Sequence, residues 1–179
     1  MVKQISLWHA EHINFARLLD MLEREVAAFS EGGRPDYELM LDILYYLQTY
    51  SDKFHHPRED VAFARMVKHD STQEVIVNRL RQEHRVIAAA GEELTERLNE
   101  AVDDVPIPRT ALEAAADTFL VYYRHHLNKE ESEVMPRAAQ LLDEADWAAV
   151  AEAIPETLDP LTGEDIRVQL RELRRRISH

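Results

Sequence analysis

Two short stretches of the chain hold residue types that bind metals, and they look like copies of each other. One is His55-His56-Pro57-Arg58-Glu59-Asp60; the other is His125-His126-Leu127-Asn128-Lys129-Glu130-Glu131. In each, a histidine is followed four residues later by a carboxylate, His55 by Glu59 and His126 by Glu130. On a helix that spacing puts both side chains on one face, one turn apart. An imidazole and a carboxylate so placed can grip one metal ion or bridge two. Two more histidines complete the pattern. Glu11-His12 matches Glu83-His84, with 43 residues from His12 to His55 and 42 from His84 to His126. One histidine in a helix stripe is usually a hydrogen-bonded core residue. Four at matching offsets, two with a carboxylate one turn on, cannot all be buried cheaply without partners. A dinuclear metal site satisfies them together.

Four helices are needed to position these groups. Over residues 4–31, Ile5, Trp8, His12, Phe15, Leu19, Leu22, Val26 and Phe29 keep alternating steps of three and four, the inward stripe of a bundle helix. Gly32-Gly33-Arg34-Pro35 ends it. Asp36 is the expected N-cap of a second helix to about Lys68, with Leu44, Leu47, Ser51, His55, Glu59, Ala62 and Met66 on its inner face. Pro57 lies inside that pattern and predicts a kink or break beside the ligands. A third helix, capped by Asp70 or Ser71, runs to about Ala101 and carries His84 in its stripe, with Gly91 suited to a close helix contact. After the loop 103–108, a fourth helix from Thr110 to about Asp143 turns Leu112, Ala115, Phe119, Tyr122, His126 and Glu130 inward, and Pro136 can bend its last turns. Beyond it come a short helix from Asp146 to before Pro155, a turn at Asp159–Gly163 and a last amphipathic helix through Ile177. The expected class is all-α, with residues 1–143 forming the bundle. Residues 144–179 form a helical extension, packed on the bundle or at a subunit interface.

Composition limits the chemistry. Four glycines among 179 residues favour helix over a turn-rich sheet. With no cysteine, thiolate metal sites, disulfides, iron–sulfur clusters and cysteine nucleophiles are excluded, so any metal is held by nitrogen and oxygen. A formal charge of -13 disfavours nucleic acid and anionic membranes as partners. No long apolar run appears, the first six residues lack the core of a signal peptide, and the cytoplasm is the expected location. His-Glu-x-x-His and a doubled Glu-x-x-His are both missing, which removes the zinc-protease helix and the ferritin-type di-iron bundle. No glycine-rich phosphate loop or nucleophile elbow is present.

At Ala10-Glu11-His12, His55-His56-Pro57-Arg58-Glu59-Asp60, Gln82-Glu83-His84-Arg85 and His126-Leu127-Asn128-Lys129-Glu130-Glu131, the chain resembles the hemerythrin-like, or HHE cation-binding, family over about residues 5–142. The resemblance implies an up-down four-helix bundle around a non-haem di-iron centre, here with two additional short C-terminal helices. It implies His12 and His55 on one iron, His84 and His126 on the other, and Glu59 and Glu130 as bridges, with zinc or manganese as substitutes. It also implies a small ligand (oxygen, nitric oxide or peroxide) that is sensed, carried or buffered, or a role in iron homeostasis. The alternative is an enzyme that decomposes peroxide or oxidises ferrous iron. A homodimer is compatible with it.

One departure stands out. The oxygen-carrying members have a His-x-x-x-His pair in the third helix, but here Leu80 and Ala88 flank His84 at that spacing. Glu83, His56, His125, Glu131, Asp60, a tyrosine (Tyr45, Tyr50, Tyr122 or Tyr123) or water could replace the lost imidazole; Glu11 is a further neighbour. His56 and His125 lie off the main stripe by a helical step of about 100°, which predicts secondary or exposed places for them.

Overall fold

Each of the four expected helices forms, and two of them contain a stretch of wider π-helix. The computed structural model describes residues 3–103, 105–106, 108–155, 157–161 and 168–177. α1 spans Lys3–Ser30 and stops at Gly32, whose φ of 81° is the left-handed cap that glycine permits. α2, Tyr37–Tyr46, starts at Asp36, whose carboxylate accepts the Leu39 N–H at 3.0 Å. It runs without a gap through a π segment, Leu47–His55, into α3, His56–His69. α4 covers Glu74–Val102 after a 3-10 turn, Ser71–Gln73, opened by Asp70. α5, Arg109–Lys129, likewise continues through a π segment, Glu130–Val134, into α6, Met135–Leu141.

Where a kink or break is expected at Pro57, the helix continues unbroken but widens into the π segment just before it. Pro57 is the second residue after the π segment of this continuous helix, so the bond its missing N–H cannot make falls where the ladder is already widened. The strain is taken up just before it, where the His56 N–H bonds the Ser51 carbonyl five residues back. Pro136 repeats the arrangement: it is the second residue after the π segment Glu130–Val134 of a continuous helix.

Two further corrections are local. Tyr122 is exposed, and Tyr123 takes the inward place, fully buried. Steps of three and four from Phe119 both fit the period, and the step of four leads to Tyr123. α7 is Glu144–Ala153, starting before the expected Asp146, because Asp143 and Asp146 form a capping box. Thr162 and Gly163 of the expected turn lie outside the described residues, as do Asp104 and Ile107 of the earlier loop. α8 is Val168–Ile177. α7 packs on α3, and α8 on α1 and α2.

The core falls into two apolar clusters with a polar layer between them. One gathers Phe15, Leu19 and Leu22 of α1 with Leu44, Ile87, Leu94, Leu112 and Phe119. The other gathers Ile5 and Trp8 with Phe63, Met66, Val77, Leu80 and Val134. In the long helices the candidate metal ligands fall at the boundary between the stretches that build the two clusters. Gly91 makes the close contact expected of it: a Cβ there would meet a Phe119 ring carbon at 3.1 Å and the Gln48 side-chain nitrogen at 3.5 Å. Gly91→Val is expected to lower stability in urea unfolding by about 1–3 kcal/mol through overpacking.

Candidate metal centre

Six side chains converge in the polar layer: His12 from α1, His55 from the first π segment, Glu59 from α3, His84 from α4, His126 from α5 and Glu130 from the second π segment. All are buried. The Nε2 atoms of His12 and His55 face each other at 2.8 Å, and those of His84 and His126 at 3.1 Å. Glu59 reaches both pairs. Its Oε1 is 3.4 Å from His12 Nε2 and 3.2 Å from His55 Nε2, while its Oε2 is 3.8 Å from His84 Nε2. Glu130 does the same, with Oε2 3.6 Å from His12 and 3.2 Å from His126, and Oε1 3.7 Å from His84.

Behind each imidazole a carboxylate holds the other ring nitrogen. His12 Nδ1 meets Glu131 at 2.8 Å, His55 Nδ1 meets Glu11 at 2.5 Å, His84 Nδ1 meets Asp60 at 3.1 Å and His126 Nδ1 meets Glu83 at 3.4 Å. These four acids are the chain neighbours of the inner residues, one beside each of His12, Glu59, His84 and Glu130. A carboxylate on Nδ1 keeps the proton there and leaves the Nε2 lone pair aimed at the centre. Tyr50 donates to the second oxygen of Glu11 at 2.6 Å. Burial would raise the Glu11 carboxyl, but His55, Tyr50 and the buried Arg58 outweigh it and hold it low.

The structure places His56, one of the candidates for the missing imidazole, inside rather than exposed. It is buried and stacked on His84 with ring centroids 4.2 Å apart; its Nε2 lies 3.2 Å from Ser51 Oγ and its Nδ1 3.3 Å from Asp52 Oδ1. A ligand atom from each of His56, Glu59, His84 and His126 lies within 4.8 Å of the others, and the same holds for His12, His55 and Glu59. Burial, with the charges of His84 and His126, holds His56 far below the ordinary imidazole range, so it is neutral and able to bind a cation. His56 directly follows the π segment, and both it and its neighbour His55 are buried, while Glu59, Ala62 and Met66 beyond keep the inward stripe. His125 stays exposed, 3.7 Å from Glu83. Of the tyrosines, Tyr123 bonds Ser51 at 2.6 Å, Tyr50 serves Glu11, Tyr45 is half-buried and Tyr122 faces out.

The model of the hemerythrin HHE cation binding domain matches residues 3–138. The chain belongs to the hemerythrin HHE cation-binding family. A search of curated proteins returns no match. The HHE residues fit a cation on their own chemistry. Both oxygens of Glu59 and both of Glu130 are buried with no hydrogen-bond partner, which is costly unless a positive charge stands among them. Two donors on one ion, at bonds of about 2.0–2.2 Å, stand about 3 Å apart, close to the spacings found here. Within this HHE centre the outer carboxylates act through the rings they hold. Asp60→Ala and Glu131→Ala are each expected to weaken metal binding about 10–100-fold in a competition titration against a chromophoric chelator.

Proposed function

We propose that the chain is a non-haem di-iron protein with the up-down four-helix topology of its family. Residues 1–143 form the bundle and 144–179 a cover that reaches the site's surroundings through the Tyr46 hydroxyl, which donates to Asp159 at 3.0 Å. The order of the two apolar clusters along the chain supports this topology, since it reverses from each long helix to the next. Among the described residues no helix is long and apolar enough to cross a membrane.

The observation that carries the metal reading is the set of four buried, unpartnered oxygens on Glu59 and Glu130, placed between two pairs of facing imidazoles. His12, His55 and Glu59 would hold one ion, and His84, His126 and His56 would hold the other with Glu59 again. Glu130 would lie across both. Iron, when bound, would supply one-electron chemistry toward oxygen, nitric oxide or peroxide. The protein's own part is to orient and to dry. Glu11, Asp60, Glu83 and Glu131 fix the rings. Phe15 and Trp8 stand edge-on to His55 at centroid distances of 4.9 and 6.3 Å and exclude water on that side. Sensing, carriage or buffering of such a small ligand is the function we favour.

The test is metal content per chain after purification from iron-replete cells, with absorption spectra under air, without oxygen and with azide. Two irons per chain and a spectrum that responds to azide are expected. Less than one metal per chain would defeat the reading.

A further inference from the structure

At one matched position, three residues before the α1 and α4 histidines, the two halves of the centre carry different chemistry. In the first half it is His9, in the second Arg81. Both reach the carboxylate behind their histidine. Glu131 is shared, with Oε1 on His12 and Oε2 on His9, each at 2.8 Å. Asp60 holds His84 at 3.1 Å and stands 3.6 Å from the Arg81 guanidinium. An imidazole with a carboxylate is a donor pair that suits first-row divalent metals. A guanidinium at the same place has no lone pair and repels cations.

A cavity of about 420 Å³ opens on the His9 side between α1 and α5, and its wall includes His9, His12, Ile13, Leu127, Asn128 and Glu131. It runs from solvent to an inner histidine. Side-chain exposure falls along it from 54% at His9 to 31% at Glu131 and 3% at His12. Arg124 also lines it, but its charge is met by Asp20 and Glu23, each at 2.8 Å. We propose that His9 and Glu131 form a transit site through which divalent metal ions enter and leave the centre along the α1/α5 cavity. This rests on the metal reading above. The ion is held by His9 Nδ1 and Glu131 Oε2 at the mouth and passes to His12 as its ring turns from the carboxylate.

A transit site lowers a barrier without changing either end state, so entry and exit must change by the same factor. His9 is half-exposed, and His9→Ala and His9→Arg should fold, as thermal unfolding of each can verify. Uptake of divalent cobalt by the metal-stripped full chain is monitored by absorption, and release by transfer to excess chelator. His9→Ala is expected to slow both by about tenfold, and His9→Arg by more, with equilibrium affinity unchanged. Unchanged rates in His9→Ala, or a slower uptake matched by weaker affinity with release unaltered, would overturn the transit role. A wild-type chain that takes up no cobalt would instead overturn the metal reading itself, and this inference with it.

Discussion

Glu59→Ala is expected to strip both ions from the protein, where loss of a single histidine strips one. Glu59 faces the His12–His55 pair with one oxygen and the His84 side with the other, at 3.2–3.8 Å, and, unlike Glu130, it belongs to both groups of converging donors. Its removal takes a donor and a negative charge from each position. The outer carboxylates, which touch no ion, are each worth about 10–100-fold in affinity. The loss in Glu59→Ala should exceed about 100-fold at both positions, while His12→Ala should keep the ion on the His56, His84 and His126 side. Metal analysis after dialysis against buffered metal distinguishes the two patterns. Two ions retained in Glu59→Ala would rule out the shared carboxylate.

Chelation should lower the melting temperature by roughly 10 °C and make stability fall with rising pH. At a free metal level of about 1,000 times the dissociation constant, binding contributes about 4 kcal/mol, and each kcal/mol moves the midpoint of a domain this size by about 2–4 °C. The stripped centre holds protons where metal would be. Burial acts to lower His12, His55 and His126, but Glu59, Glu130, Glu131, Glu11 and Glu83 more than offset it. His12 and His126 rise to about 10 and His55 to about 9. A histidine whose folded pKa exceeds its unfolded value stabilises fully below the unfolded value, and that contribution is lost as pH rises through the folded one. The stripped protein should therefore lose stability steadily from about pH 7 to pH 10. The loaded protein, whose imidazoles are unprotonated at Nε2, should hold its stability over the same range. Thermal unfolding of both forms at stepped pH gives the comparison, and parallel curves would contradict it.

The long helices were legible because their apolar stripes keep the 3.6-residue period through α1 and α4, where no π segment intervenes. The six inner residues were legible because each half repeats the same spacing. His56 was only one of several candidates for the missing imidazole, since it lies a helical step of about 100° off the stripe of His55 and Glu59, and no spacing showed that this side too is covered. The roles of Glu11, Asp60, Glu83 and Glu131 could not be assigned from sequence, since each of those pairings joins two different helices in a way no local spacing records. The burial of Tyr46, Tyr50 and Arg58 was hidden for another reason. Part of the cover over that side of the helix comes from residues 157–161, which carry no periodic pattern.

The doubled arrangement has a consequence for the chain as a polymer. The centre joins points 43 residues apart in one half and 42 in the other, and ties His12 to Glu131 across 119 positions. Closing such loops costs conformational freedom that grows only with the logarithm of their length. A clasp that closes all of them at one point therefore does for this cysteine-free chain what a set of cross-links does elsewhere. Since Glu131 and Asp60 each reach across to the other half, neither half can complete its own donors. Were the backbone cut between α3 and α4, the supply of ions would decide whether the pieces behave as one molecule or as two.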